Sequence, residues 1–282
     1  MRMSSGQLGF DFVAPRLVRV TPARLGTWRD CPRRYRLGYL DRASRGGGRA
    51  SSTLGAVVHL ALRAFYGLPP ARRTPDAAAA FVDRNWNGEG FRDAAQEQVH
   101  RERARGWVAA YVTDGAGGDL GGAEPLGVEQ WVSVSTERIV AEGRVDRIDA
   151  RGREAVVVDY KTGRRGLSAD DARDSEALAL YAVATARTLH RACTRVELHH
   201  LPTGEVHAFD HDERTLRAAL GRAEATAAEL AGATDALAAG GDPEALFPPR
   251  ISPSCGTCGV RRHCPEGRAA VPEPAPWDGL AP

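Results

Sequence analysis

Apolar residues recur at helical spacing through the first third of the chain and at strand spacing through its middle. Leu54, Val57, Val58, Ala61, Leu62 and Phe65 fall on one face and predict a helix over about 53–66. Upstream, Thr21-Pro22 has the form of a helix start, and the pattern carries to about Leu40 before Gly46-Gly47-Gly48 breaks it. Pro69, Pro70 and Pro75 separate the second helix from a long helical stretch over 76–113, interrupted near Asn87-Gly88. A glycine-rich loop at 115–122 closes this half, so 53–113 reads as an all-helical region.

The period then shortens. Residues 127–134, 138–148 and 154–160 are β-type runs separated by turn signals such as Arg151-Gly152, the pattern of an antiparallel meander. A helix over about 168–191 follows, then strands at 195–201 and 205–209 around Thr203-Gly204, and an alanine-rich helix over 211–239. The order predicts an α/β fold with a mixed sheet flanked by helices, sheet core 127–209, and a helical insertion before the sheet. The remainder is rich in Pro and Cys and aperiodic, so something other than a core must hold it. No repeat at solenoid spacing is present.

At 282 residues and 43% hydrophobic content the chain has room for one large domain with a real core, assigned to 16–265 with flexible tails at 1–15 and 266–282. No stretch approaches ~18 uninterrupted apolar residues and the N-terminus lacks a signal-peptide pattern, so a cytoplasmic protein without a membrane partner is expected. A net charge of +2 is uninformative, but its distribution is not: residues 16–50 hold ten arginines against Asp30 and Asp41, with Trp28, Tyr35 and Tyr39 interleaved. Arginine forks grip phosphate oxygens and aromatic faces stack on bases, so this segment suits nucleic acid; a solvated arginine-rich helix is the alternative.

Among thirty-eight basic residues only one is lysine, Lys161, in Val156-Val157-Val158-Asp159-Tyr160-Lys161-Thr162-Gly163. Lysine is a compact charge whose pKa moves when buried, whereas arginine is a planar fork that stays protonated, so the retained lysine points to chemistry. Asp146 and Asp149 in Gly143-Arg144-Val145-Asp146-Arg147-Ile148-Asp149, together with Asp159, stand close to it in the meander. Neighbouring strands lie ~4.8 Å apart, so Asp146 and Asp159 can share a divalent ion. Their hard oxygens suit Mg²⁺ or Mn²⁺. Strand alternation puts Asp159 and Lys161 on one face and Tyr160 on the other. An ammonium beside a metal site can orient a water for attack on a phosphodiester.

These two motifs resemble the signature of RecB-like nucleases in the PD-(D/E)XK superfamily. The resemblance covers about Thr21 to Pro265 and implies a restriction-endonuclease-like fold and a metal-dependent DNA nuclease, an exonuclease of DNA repair or processing. It implies a histidine ligand in a preceding helix, matched by His59 in Gly55-Ala56-Val57-Val58-His59, and a histidine nitrogen favours Mn²⁺ over Mg²⁺. His59, Asp146, Asp159 and the carbonyl of Tyr160 would then hold the metal, with Lys161 positioning the attacking water. The family also has a Gln and, four residues later, a Tyr on the helix after the lysine strand; this chain has Ala177 and Tyr181 there.

Of five cysteines, Cys255, Cys258 and Cys264 form a C-x₂-C-x₅-C cluster, and Cys31 stands far upstream. In a cytosolic protein this argues for metal over disulfides, and spacing alone leaves zinc and an iron-sulfur cluster open. The resemblance implies a [4Fe-4S] cluster on Cys31, Cys255, Cys258 and Cys264, as in AddB and the CRISPR spacer-acquisition exonucleases. By the loop-closure entropy used for disulfides, such a staple would stabilise the fold by roughly 5 kcal/mol. Cys193 fits no ligand spacing and reads as a buried apolar residue.

With a single lysine the chain cannot contain a G-x-x-x-x-G-K-[ST] loop in addition to its D-Y-K motif. It acts on ends and single strands unaided, or a helicase motor is a separate partner. The alternative function is a non-catalytic iron-sulfur or zinc DNA-binding module of a larger helicase-nuclease complex; the presence of His59, Asp146, Asp159 and Lys161 speaks against it.

Overall fold

The structure, a computed structural model, describes residues 17–113 and 124–281. The N-terminal tail 1–15 and the glycine-rich loop 115–122 lie outside the described residues. The chain opens with β1 (Val18–Val20), a strand too short to show alternation, and enters α1 (Pro22–Asp30) with the Thr21 hydroxyl capping the Arg24 N–H. The single helix expected to Leu40 is broken at Cys31. Pro32 lacks the N–H needed to continue the ladder, Cys31 turns extended, and its sulfur caps α2 (Pro32–Tyr35), which runs into a π-turn at Arg36–Leu40.

Next come α3 (Ala50–Tyr66), α4 (Pro75–Arg84) and α5 (Ala94–Thr113), the helical region expected, with the break near Asn87. The strands β2 (Gly127–Ser135), β3 (Ile139–Arg151) and β4 (Glu154–Lys161) form the antiparallel meander. Two helices stand where one was expected, α6 (Ala169–Arg173) and α7 (Glu176–Leu189), because Ser175 starts a new helix with its hydroxyl on the Leu178 N–H. The crossover returns the chain to β5 (Arg195–His200), parallel to β4, and a hairpin with Gly204 at φ +71 leads to β6 (Glu205–Asp210). Then follow α8 (Glu213–Ala238), α9 (Pro243–Leu246) and α10 (Pro265–Ala270).

The result is the expected mixed sheet flanked by helices, here of six strands, ordered β1-β3-β4-β5-β6 with β2 on the other edge of β3. Both faces are covered. Ala155 and Val157 of β4 join a core with Leu178, Leu180 and Ala223, while Val156, Val158 and Tyr160 join a second core with Val58, Leu62 and Val108. A third, smaller core packs Trp28 and Tyr35 against Leu230 and Phe247.

The segment after Pro265 is packed rather than a loose tail. Arg49 donates to the carbonyls of Pro274 and Ala275 at 3.3 and 2.6 Å, the Ala50 N–H donates to Pro276 O at 3.0 Å, and Leu280 lies against the second core. The Ala50 bond satisfies the first N–H of α3, whose Arg49 cap offers no side-chain acceptor.

Candidate active site

The site lies at a fork in the sheet. On one edge of β3, β1 pairs with Ile139–Ala141 and β4 with Arg147–Arg151, which leaves Glu142–Asp146 without a ladder partner on that edge. The last β3–β4 pair is Arg147↔Val158, so Asp146 and Asp159 stand opposite one another where the strands diverge. The Tyr160 N–H that the ladder would have used instead donates to Asp146 Oδ2 at 2.9 Å. Asp146 is thereby fixed in orientation. Its other oxygen lies 3.3 Å from His59 Nδ1 of α3.

A third acid arrives from β2. Val128↔Arg147 and Gln130↔Val145 bracket Glu129 opposite Asp146, and Glu129 takes φ +48, the left-handed region that costs a non-glycine residue about 1–2 kcal/mol. Such strain in a strand persists where the surroundings hold it, often at working sites. The side chain is held by Arg144, whose Nε lies 2.7 Å from Glu129 Oε2. His59, Glu129 and Asp146 bring one ligand atom each within 4.8 Å of one another, the one such trio among the described residues. Ligand atoms around an ion at ~2.1 Å stand at most ~4.2 Å apart, so a small contraction would close the set on Mg²⁺ or Mn²⁺. The donor set, hard carboxylate oxygens with one imidazole, fits such an ion.

Asp159 stands outside this trio, with its Oδ2 2.6 Å from Lys161 Nζ. Burial raises the Asp159 carboxyl pKa; Lys161 pulls it down, Asp146 pushes it up, and the net shift is upward. For His59, burial disfavours the charged imidazole, but the hydrogen bond and charge of Asp146, aided by Asp159 and Glu129, outweigh it and raise the pKa. Tyr181 of α7 faces the same acids. Burial and the charges of Asp159 and Asp146 push its hydroxyl up to about 12, so it stays a neutral donor.

Two glycines permit this closeness. A Cβ at Gly143 would stand 2.6 Å from Tyr181 Cε1, and one at Gly55 would stand 3.1 Å from Thr162 Oγ1. The motif glycines therefore seat α7 and α3 against the fork. Ala177 is half-buried one turn before Tyr181 and offers no polar group to the site.

Asp149, expected near the lysine, belongs elsewhere. Arg147 takes it bidentately at 2.8 and 2.7 Å, in a buried network with Tyr66, Tyr111 and Tyr160. Its position three residues on from Asp146, past the fork, turns it away. Glu129 was the functional candidate the sequence reading missed.

The model of the PD-(D/E)XK nuclease superfamily matches residues 19–265. The chain belongs to that superfamily. No curated protein matches it. Membership supports a metal-dependent nuclease in general terms, and the six-stranded mixed sheet is consistent with the restriction-endonuclease-like fold. No helix of the described residues is long and apolar enough to cross a membrane.

In this nuclease domain the cysteines Cys31, Cys255, Cys258 and Cys264 line one pocket, all as free thiols. The N–H groups of Arg34 and Arg250 each donate to Cys31 Sγ at 3.4 Å, and that of Gly267 to Cys264 Sγ at 3.4 Å. A Cβ at Gly267 would stand 3.3 Å from Cys264 Sγ, so the glycine keeps the pocket open. Cys193 is buried in the first core, away from this pocket.

The arginine-rich segment is divided: Arg19, Arg24, Arg29, Arg42 and Arg45 are exposed, while others turn inward. Arg33 is buried against Glu244, Glu266 and the Phe247 carbonyl, Arg36 pairs with Glu244 and Asp41, and Arg29 pairs with Glu176. Trp28 and Tyr35 are core residues rather than stacking platforms, and Tyr39 packs on Tyr35 at 5.1 Å. Their ring area is worth more buried in a small third core than exposed.

Proposed function

We propose that the chain is a divalent-metal-dependent deoxyribonuclease of the RecB-like type, an exonuclease that hydrolyses phosphodiester bonds in DNA repair or processing. The observation that carries this reading is the convergence of His59, Glu129 and Asp146 beside the Asp159–Lys161 pair at the β3–β4 fork. His59, Glu129 and Asp146 would hold the ion, with Asp159 and the Tyr160 carbonyl completing its shell. When bound, the ion supplies Lewis-acid stabilisation of charge building on the phosphate. Asp146 is preset for its part because the Tyr160 N–H fixes one oxygen and leaves the other toward His59. Lys161 holds the attacking water and Asp159 holds Lys161; Tyr181 donates a neutral hydroxyl toward the phosphate.

The cysteine pocket is read as the seat of a [4Fe-4S] staple, with zinc as the alternative. The amide donors to the Cys31 and Cys264 sulfurs would stabilise thiolates at such a cluster. The staple would tie α2 to α10 and the segment between α9 and α10.

The test is cleavage of end-labelled linear and circular single-stranded DNA and of duplex DNA by anaerobically purified protein. Activity with Mn²⁺ or Mg²⁺, stopped by EDTA and by Lys161→Ala, is expected on linear substrates. Unimpaired cleavage by both Asp159→Ala and Lys161→Ala would remove the assignment, and rapid cutting of circles would remove the exonuclease part. Iron and sulfide in equal amounts, with a broad visible absorbance lost in Cys258→Ala, are expected of the cluster; zinc alone would contradict it.

A further inference from the structure

Tryptophan is costly to leave in water, because its large ring gains most from burial. Of the five tryptophans in the chain, four are buried or half-buried, whereas Trp131 is 61% exposed. It sits on β2 two residues from Glu129, about 7 Å along the strand. Trp131, Glu129 and Asp146 line one cleft.

The facing wall of that cleft is α3. Ser52, Ala56, Leu60 and Arg63 recur there at helical spacing on the outward side, and all four are exposed. Leu60, like Trp131, is a large apolar side chain left in solvent at 44% exposure. The cleft thus has acids and His59 at its floor, an apolar ring and a leucine on its rims, and arginines at 63 and 144 beside them. A chain with regularly spaced phosphates and flat apolar groups matches that arrangement.

We propose that Trp131 is the stacking platform for a base flanking the cleaved phosphate, so that the site selects an unpaired nucleotide. The inference rests on the nuclease reading and adds a substrate class to it. From a phosphate at the acid cluster, a base reaches Trp131 within the span of one nucleotide. Inside a duplex both faces of each base are covered by neighbours at ~3.4 Å, which leaves no room for an indole. A single strand, or a frayed end, offers a free face.

The test uses the full chain in two assays. Binding of fluorescein-labelled oligothymidylate is measured with Mn²⁺ in a Lys161→Ala background, where the strand stays intact; cleavage is measured in the Lys161 protein. Trp131→Ala should weaken single-strand binding and raise KM by roughly tenfold, the usual effect of losing one base–aromatic stack, with kcat little changed. Trp131→Phe should keep most of the affinity, and Trp131→Leu should not. A single abasic nucleotide next to the cleaved bond should weaken binding to the Trp131 protein and leave the Trp131→Ala protein unaffected. Since the side chain is exposed, these variants should melt like the parent.

Wild-type cleavage with KM unchanged in Trp131→Ala would overturn the stacking role and leave the nuclease reading standing. Equal losses on single-stranded and blunt duplex DNA would overturn the selection of unpaired nucleotides. A wild-type protein that binds no DNA and cuts none would overturn both readings, and would leave Trp131 and Leu60 as a protein-binding rim.

Discussion

Arg147, next to Asp146 on β3, is 1% exposed. Its guanidinium donates to Asp149 at 2.8 and 2.7 Å and to the hydroxyls of Tyr66, Tyr111 and Tyr160 at 2.5, 2.9 and 3.2 Å. Arg147→Met keeps the volume and removes every one of these donors. Removing one partner of a buried pair costs about 3–5 kcal/mol, and the side chain of Asp149 is 30% exposed, so water recovers part of its share. Tyr111 retains His199 Nδ1 at 2.6 Å, whereas among the described residues the hydroxyls of Tyr66 and Tyr160 have no other side-chain partner. Each unsatisfied hydroxyl adds on the order of 1 kcal/mol. The expected total is about 4 kcal/mol, a large fraction of the ~5–15 kcal/mol that holds a domain together. Urea unfolding with constant m reads it directly. Arg147→Lys should recover less than half, because one ammonium cannot serve a carboxylate bidentately and three hydroxyls as well. A loss below about 1 kcal/mol in Arg147→Met would refute the network as a structural element.

Gly143→Ala should cost about 1–3 kcal/mol, because its Cβ would meet Tyr181 Cε1 at 2.6 Å; Tyr181→Ala in the same chain should recover most of that loss in urea melts. Mn²⁺ affinity should rise with pH. Ligation requires His59 and Asp159 without protons, and both pKa values are raised, so protons compete to higher pH than at an ordinary histidine or an ordinary carboxylate. In the metal-free protein the sign reverses for His59: its retained proton stabilises the fold fully below the unfolded pKa, and that contribution fades as pH rises through the folded one. Metal affinity should therefore rise across pH 5–8, while the stability difference between the metal-free parent and His59→Gln should shrink; the difference isolates His59 from His100, His199 and His211, whose pKa values burial lowers, and a difference that does not change with pH would contradict the His59–Asp146 contact.

The meander, the crossover and the hairpin were legible because their periods are short and two of their turns carry Gly, at 152 and 204. Asp146, Asp159 and Lys161 were legible from the strand motifs, and His59 and Tyr181 only through the family resemblance; the structure places all five near one fork. Glu129 was not legible: one acid in a strand carries no sign that its backbone turns left-handed opposite Asp146. Asp149 misled because proximity in sequence hides the face a strand gives each residue and the partner, here Arg147, that claims it. Trp28 and Tyr35 misled because an arginine-rich segment can be amphipathic around a small core fixed by residues 200 positions away. The three-residue β1 is below the length at which alternation can be read.

In the proposed nuclease, cleavage depends on a metal ion bound at the β3–β4 fork. Mn²⁺ binding followed by electron paramagnetic resonance, in wild type and in Asp146→Asn, tests this without a substrate. Wild type should bind Mn²⁺ at this site, and Asp146→Asn, which keeps the side-chain acceptor for the Tyr160 N–H, should stay folded and lose at least about tenfold in affinity. Equal Mn²⁺ affinity in the two proteins would contradict the assignment.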